Sequence, residues 1–205
     1  MLPVAQLSAV LPTLPRITIH GLWSRAIGAH HLLTSPPQSL WAGGPSVNGA
    51  RFTPKGGFDS IYLASDPFTA LREVVGVFSH PGIPAFTLRI HPWTVLAIDG
   101  VLSEILDLTN SAIQGQIGTT LAELTGDWAY GQEQYNKGLG PIPPTQLLGQ
   151  AAYDCGSVLG FRYLSAKNTR DAGIGIVVFT SRLPANQPSY LEVYDPHNKL
   201  SQRLP

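Results

Sequence analysis

The pattern that most restricts the fold of this 205-residue chain is an irregular interleaving of strand-like and helix-like segments. Segments that alternate apolar and polar residues predict strands, whereas apolar residues three and four positions apart predict helices. These segments do not recur in regular strand–helix–strand units of about 30 residues, the size expected of a doubly wound parallel sheet. The pattern therefore predicts an α+β fold in which central twisted sheets are flanked by helices.

Strand-like segments are spread along most of the chain. The alternation is clearest at Ser60–Ala64, where Ile61 and Leu63 share one face and Tyr62 occupies the other. The other segments predicted to form strands are Ile17–Arg25, Ala85–His91, Thr94–Ile98, Val158–Leu164, Ile174–Phe179 and Tyr190–Tyr194.

Three segments have the apolar spacing of amphipathic helices. The first starts at Ser65-Asp66-Pro67, which combines capping side chains with proline at the first helical position, and it carries the apolar residues Leu71, Val74, Val75 and Phe78. The second, with a cap near Asn110 or Ser111, carries Ile113, Ile117, Leu121 and Leu124. The third spans Thr145–Cys155 and ends at Gly156.

Prolines and glycines mark the predicted irregular regions. The first 15 residues, interrupted by three prolines, are predicted to form an irregular arm before a single domain at 16–205. A second aromatic loop is predicted at Gly126–Pro144. The segment Gly28–Gly57 is a loop of a length that is either functional or disordered in compact domains, and its aromatic residues and Arg51 favour function.

Charge and cysteine content exclude several classes of protein. Thirteen basic and thirteen acidic residues give a formal net charge of zero, so we expect no direct nucleic-acid or membrane partner. With so few charges, a net charge of zero favours association with a partner or self-assembly into a homo-oligomer. The single cysteine, Cys155, indicates a reducing, cytoplasmic setting, and no apolar run approaches the 18 residues of a membrane span.

Several common catalytic motifs are missing from the sequence. It contains no phosphate-binding P-loop, no dinucleotide-binding glycine fingerprint, no nucleophile elbow and no zinc-protease motif. The six histidines do not pair at helical ligand spacing, so we expect no metal. Cys155 lies on the apolar side of its predicted helix and is interpreted as a small core residue.

Arg51 lies among small residues in the segment Gly49–Gly56. Small neighbours let a backbone and a guanidinium group approach a ligand closely, and arginine matches phosphate oxygens with two parallel hydrogen bonds. On this segment alone, a surface arginine in a turn remains the favoured interpretation.

Glu73 is ambiguous by periodicity. It lies nearly opposite the apolar stripe of its helix, so the pattern alone predicts a solvated side chain. Its face also carries Thr69 and Gly76, and a cleft over this narrow face would bring Glu73 close to Tyr62. Ser165, at a strand end, is equally consistent with an ordinary turn residue.

The order of these residues resembles the RES family, named for its arginine, glutamate and serine. The early matching segments are Leu22–Arg25, Gly49–Pro54, Ile61–Ala64 and Ala70–Val74. The later ones are Leu106–Thr109, Gly126–Trp128, Thr145–Gly149 and Tyr163–Ala166. The sequence departs from the family at Ala50, Phe52 and Thr53, where Gly, Trp and Asn are typical, and it lacks the Gly-Gly-x-Asn that usually follows the serine.

The resemblance implies a fold similar to ADP-ribosyltransferases and an enzyme that destroys NAD. Its substrate NAD would lose nicotinamide to water or phosphate, with no metal involved. The catalytic residues implied are Glu73 facing the ribose, Arg51 and Ser165. Arg25 and Arg51 would hold the pyrophosphate, Tyr62 would stack near the nicotinamide or ribose, and Ser165 would orient the substrate.

Many members of this family are toxins of bacterial toxin–antitoxin pairs. The resemblance therefore implies a cognate antitoxin, often with an Xre-like DNA-binding region, that covers the active site. Two alternatives remain open from the residues themselves. One is transfer of ADP-ribose to a protein side chain, and the other is a catalytically silent module that binds a nucleotide or a protein.

Overall fold

A computed structural model describes residues 1–78, 92–185 and 187–205, with the backbone alone at 75–78. Within these ranges the strands are β1 (Ile17–Gly28), β2 (Ser60–Ala64), β3 (Trp93–Asp107), β4 (Gly160–Leu164), β5 (Ile174–Phe179), β6 (Tyr190–Val193) and β7 (Arg203–Leu204). The helices are α1 (Val4–Val10), α2 (Gly43–Asn48), α3 (Pro67–Phe78), α4 (Ser111–Gln116), α5 (Leu121–Thr125), α6 (Trp128–Asn136) and α7 (Pro144–Cys155). The predicted strand Ala85–His91 lies outside the described residues.

The strands form one sheet in the order β1-β2-β5-β4-β3-β6-β7, and β1 also pairs with β3. This additional pairing closes β1, β2, β5, β4 and β3 into a ring. β3 and β4 run parallel and are connected through α4 to α7, whereas the other described pairs are antiparallel. The structure therefore confirms the predicted α+β class, a sheet flanked by helices.

Two apolar cores lie on opposite faces of these strands. The inner core, on the face that the ring encloses, includes Ile61, Leu63, Ile98, Ile176 and Val178. The outer core fills the space between the ring and the helices, and it includes Phe52, Leu148, Phe161, Val177 and Phe179. The alternation of β2 therefore sends Tyr62 towards the outer core, as the sequence predicts.

The first residues are helical and packed, so the prediction of an irregular arm is wrong for residues 4–13. α1 and a short 3-10 helix at Leu11–Thr13 bury Leu7 and Leu11 completely in the outer core. Pro3 is the N-cap of α1, and Pro12 lies in the first turn of the 3-10 helix. At these positions the missing N–H of proline costs little, which is why the prolines do not prevent helix formation.

We expect Leu7→Ala to lower the free energy of unfolding by about 3 kcal/mol, because it removes a fully buried side chain and leaves a cavity. Ser8→Ala, at the exposed neighbouring position, is the control. Denaturant melts of both variants check this result. Equal midpoints for the two would contradict the packing of α1 against the domain.

The predicted helix that joins Ile113 to Leu124 is two helices. Gly118 has φ +63°, a conformation that ends α4 and that glycine adopts without strain. The side chain of Asn110 caps α4, as predicted, by accepting from the N–H of Ala112, and Thr120 caps α5 by accepting from Glu123. The end of α4 at Gly118 and the new N-cap at Thr120 thus divide one continuous apolar pattern into two helices.

The two predicted loops also contain helices. α6 lies within Gly126–Pro144. Its N-cap is Asp127, whose carboxylate accepts from the N–H of Tyr130. α2 and a 3-10 helix at Ala29–Leu33 lie within Gly28–Gly57. These short helices bury few side chains, so their apolar spacing is too weak to detect.

The predicted strand Val158–Leu164 starts only at Gly160.

Strand β3 is much longer than the predicted Thr94–Ile98, with 15 residues. Gly100 interrupts its sequence pattern, and an added Cβ there would lie 2.9 Å from the carbonyl oxygen of Tyr190 on β6. Close pairing with β1 and β6 thus extends a strand that alternation alone does not indicate. Elsewhere the bounds agree: β2 and β5 match their predictions, and Gly156 caps α7 at φ +74°.

In the described part of the chain, no helix is long and apolar enough to cross a membrane.

Candidate active site

Arg51 lies at the tip of a tight turn. Ala50 and Thr53 bracket the turn through two backbone hydrogen bonds of 2.8 and 3.2 Å. Phe52, the other tip residue, is completely buried and packs edge-on against Phe161 and Tyr163, with ring centroids 5.0 and 4.9 Å away. Because its neighbour is anchored in the outer core, the backbone of Arg51 has a fixed position.

The guanidinium group of Arg51 is buried beneath α5, with 4% of the residue exposed. Its Nη1 donates to the carbonyl oxygens of Leu124 at 2.8 Å and Gly126 at 3.0 Å, at the end of α5. Its buried Nε has no hydrogen-bond partner among the residues that the structure describes. The interpretation of Arg51 as a surface turn residue, favoured by its segment alone, is therefore wrong.

Tyr62 holds the arginine turn through its hydroxyl group. The hydroxyl accepts from the N–H of Phe52 at 2.9 Å and lies 3.2 Å from Oγ1 of Thr53, which also contacts Oγ of Ser60 at 2.7 Å. Burial raises the pKa of Tyr62 to about 12, so the phenol stays protonated at neutral pH. Its stacking against a substrate remains a prediction.

Glu73 is half-buried on α3, and its carboxylate accepts a hydrogen bond of 2.5 Å from Oγ of Ser165. Thr69, one turn earlier on the same face, is completely buried. The helix periodicity predicted a solvated Glu73, and this is wrong because the loop 165–173 covers the polar face of α3. The alternative prediction, a carboxylate and an aromatic residue brought together, remains a prediction, and the negative charge of Glu73 is one of the causes that raise the pKa of Tyr62.

Ser165 uses all of its hydrogen-bonding capacity within the protein. Only 1% of the residue is exposed. Its hydroxyl donates to Glu73 and accepts from the N–H groups of Lys167 at 3.2 Å and Asn168 at 3.1 Å. A hydroxyl has one proton to donate and two lone pairs, so all are engaged. In this arrangement Ser165 orients the carboxylate of Glu73.

Asn168 fastens the covering loop to α3, and the sequence did not single it out. Its Nδ2 donates to Oγ1 of Thr69 at 2.8 Å, its Oδ1 accepts from Arg72, and its carbonyl accepts from Gly173 N–H at 3.0 Å. An asparagine three residues after Ser165, where the family's usual pattern is missing, is the signal that could have indicated this role.

Tyr163 is a further buried residue beside the site that the sequence did not single out. Burial, followed by the negative charge of Glu73, raises the pKa of Tyr163 well above its ordinary value, while Arg51 acts in the opposite direction. Glu73 and Arg51 act on the pKa of Tyr62 in the same two directions. Arg51, Tyr62, Glu73 and Tyr163 therefore share one electrostatic environment.

Arg25 lies apart from this group. It pairs with Leu96 across β1 and β3, and Leu96 belongs to the inner core, whereas Tyr62 faces the outer core. Its Nη2 donates to the carbonyl of Trp41 at 2.5 Å, and burial lowers its pKa to about 10. The structure thus joins Arg51, Tyr62, Glu73 and Ser165, and it places Arg25 on the other face of the strands.

Residues suited to a metal ion are not clustered in the described ranges, where no group of three or more His, Cys, Asp or Glu residues is suitably placed. His30 and His31 lie side by side with ring centroids 4.0 Å apart, and His31 stacks on Trp41 at 4.4 Å. Cys155, half-buried, donates to the carbonyl of Ala152 at 3.1 Å.

Comparisons with known proteins identify the family of the chain and a similar fold. The family model described as the RES domain matches residues 22–199. The fold is similar to a crystal structure of the Mycobacterium tuberculosis MbcT–MbcA toxin–antitoxin complex, with a TM-score of 0.69 and 22% sequence identity over 97% of this chain and 92% of the matched chain. No curated protein matches the sequence.

Proposed function

Because the chain belongs to the RES domain family, we propose that it cleaves the bond between nicotinamide and ribose in NAD⁺, as the toxin of a toxin–antitoxin pair. The observation that carries this proposal is the carboxylate of Glu73, fixed by Ser165 in the electrostatic environment of Arg51 and Tyr62. A carboxylate, an aromatic ring and a guanidinium group together suit a dinucleotide.

The chemistry of this reaction suits a site with a fixed carboxylate. As the carbon–nitrogen bond breaks, its electron pair leaves with nicotinamide, and positive charge develops on the anomeric carbon of the ribose, as in glycoside hydrolysis. A fixed carboxylate beside that carbon stabilises the transition state more than the ground state. Water then adds to the carbon and loses a proton, or phosphate adds in its place.

The leaving group explains why the site needs no strong acid. Nicotinamide is cationic in NAD⁺ and departs as a neutral molecule, so no proton has to be supplied. The hydroxyl of Tyr62, whose pKa lies near 12, and the saturated hydroxyl of Ser165 are suited to positioning groups rather than to transferring protons.

Binding of the two phosphates requires local cations, since the chain has no net charge. Arg51 is one proposed ligand, because its buried Nε has no hydrogen-bond partner in the described part of the chain. The role of Arg25 as a second ligand remains a prediction. Among the described residues its buried Nε and Nη1 have no hydrogen-bond partner, but it lies on the face of the strands opposite Tyr62.

Chromatography of NAD⁺ incubated with the purified protein tests the proposal. We expect nicotinamide in every active incubation, with ADP-ribose as the second product in water and its phosphorylated form when phosphate is the acceptor. Unchanged NAD⁺ with and without phosphate would contradict the proposal. If mass spectrometry of a treated lysate shows peptides that carry ADP-ribose, the acceptor is instead a protein side chain.

The antitoxin is the proposed protein partner. One observation supports it: the similar solved structure is a toxin–antitoxin complex. Its Xre-like type, a homo-oligomer and a cytoplasmic location remain predictions.

Ser165→Ala is expected to lower kcat by about 10- to 100-fold, because Glu73 loses the hydrogen bond that orients its carboxylate. KM for NAD⁺ should change little, because the saturated hydroxyl has no hydrogen left for the substrate. Steady-state kinetics check this split, with Ser181→Ala, whose hydroxyl contacts Tyr153, as the control. A rise in KM with kcat unchanged would instead indicate direct substrate contact.

A further inference from the structure

We infer that Gln146 of α7 is a positioning residue that holds the turn of Arg51 for substrate binding, a role whose kinetic consequence rests on the proposed function. The segment Thr145–Gly149 matches the family in sequence, but the reaction chemistry alone gives it no role. Its position against the arginine turn supplies one.

The amide group of Gln146 is buried against the turn, with 1% of the residue exposed. Its Nε2 donates to the carbonyl oxygen of Ala50 at 3.0 Å and to Oε1 of Gln132 at 2.7 Å, and it lies 3.5 Å from the carbonyl oxygen of Thr53. Both ends of the Arg51 turn therefore face a single amide group.

Gln132 extends this contact to the chain before the turn. Its Nε2 donates to the carbonyl oxygen of Asn48 at 2.9 Å, at the end of α2. Gly49, which follows, has φ +82°, and an added Cβ there would lie 1.8 Å from Oε1 of Gln132. The two glutamines thus form a chain of hydrogen bonds that links α7 and α6 to the residues leading into Arg51.

Gly149 lets the backbone of α7 reach the turn. An added Cβ at this position would lie 1.7 Å from the carbonyl oxygen of Phe52. Residues three apart share a face of a helix, so Gln146 and Gly149 contact the turn from the same side of α7. One supplies hydrogen bonds and the other supplies space, and together they explain the Gln-x-x-Gly spacing.

The chemistry favours a neutral amide at this position. A carboxylate of the same length has no proton to donate to the carbonyl oxygen of Ala50 at neutral pH. A buried lysine would place a second cation near Arg51. Glutamine provides two N–H donors without adding charge, and these match the two nearest oxygen atoms, those of Ala50 and Gln132.

The variant Gln146→Met tests the inference, because it keeps the length of the side chain and removes both donors. We expect KM for NAD⁺ to rise about tenfold with kcat nearly unchanged, since loosening a phosphate ligand removes binding shared by the ground and transition states. The control is Gln150→Met, one turn later on α7, where the exposed amide contacts Asp154. Unchanged KM in folded Gln146→Met would overturn the inference.

Hydrogen exchange gives a readout that does not depend on turnover. We expect the amides of Ala50 and Thr53, which bond to each other's carbonyl groups, to exchange at least about tenfold faster in Gln146→Met than in the wild type and Gln150→Met. If the wild type leaves NAD⁺ intact, the proposed function fails while this comparison still decides the role of Gln146. Unchanged exchange would overturn that role.

A second variant guards against a folding defect in Gln146→Met. Gln132 is half-buried, so Gln132→Met removes the partner of Gln146 at a smaller cost in packing. We expect exchange at Ala50 and Thr53 to accelerate here too, by a smaller factor. Wild-type exchange and wild-type KM in Gln132→Met would contradict the chain of hydrogen bonds.

Discussion

Glu73→Gln is expected to lower kcat for nicotinamide release by about 1,000-fold or more, because it removes the negative charge that opposes the developing charge on the ribose. The amide oxygen of the new side chain can still accept the proton of Ser165, so the loop 165–173 should keep its place. KM should change much less than kcat. Nicotinamide release followed by chromatography measures the loss.

The control for this variant is Glu133→Gln, which neutralises an exposed carboxylate that pairs with Lys137 on α6. Surface pairs of this kind contribute little to stability, so activity and melting temperature should both stay near those of the wild type. If Glu73→Gln melts like the wild type and retains more than about a tenth of its kcat, the carboxylate is not the catalytic group.

Arg51→Lys is expected to reduce kcat/KM by about 100-fold, mainly through a higher KM for NAD⁺. Lysine keeps the positive charge but cannot form the two parallel hydrogen bonds of a guanidinium group. It also cannot reproduce both contacts to the carbonyl oxygens of Leu124 and Gly126 at once with the same geometry. Steady-state kinetics with NAD⁺ measure the change.

Arg203→Lys provides the matched control, since Arg203 forms an exposed pair with Glu192 on β6 and β7. It should have wild-type kinetics. Calorimetric titration of the Glu73→Gln and Arg51→Lys proteins with NAD⁺ separates binding from turnover. Equal affinity of both variants for NAD⁺ would remove Arg51 from the phosphate site, whatever the effect of Glu73.

The strand that presents Tyr62 could be predicted from the sequence because its side chains alternate between two different environments. Ile61 and Leu63 pack in the inner core and Tyr62 packs against the outer core, so the period of two is clean and the bounds of β2 agree with the prediction. The bounds of β5, its neighbour in the sheet, were also predicted, but its signal is a continuous apolar run that is buried on both faces.

The position of Glu73 could not be predicted from its own helix. Its contact with Ser165 joins residues 92 positions apart, and the loop that covers it is fixed by Asn168 and Thr69. Helical periodicity detects a face that is buried by apolar packing. A polar loop that covers a polar helix face leaves no such apolar pattern in the sequence. The narrow helix face that Glu73 shares with Thr69 left both interpretations open, and the order of family segments is what favoured a place in the site.

The burial of Arg51 depends on elements that the sequence did not resolve. The carbonyl groups that hold it end α5, which the apolar pattern merged with α4, and the amide of Gln146 reaches it from α7. Glutamine on a helix normally predicts a solvated face. Its burial follows from Gly149, which lets α7 approach the turn without a side chain between them.

The long span of the Glu73–Ser165 contact has a consequence during synthesis. β2, which precedes Glu73, completes its pairing only when Phe179 is available to Ser60. A nascent chain in which Arg51, Tyr62 and Glu73 have left the ribosome therefore contains these residues before they can adopt the arrangement of the site. The candidate site therefore takes its final geometry only after the chain through Phe179 has been synthesised and β5 has paired with β2.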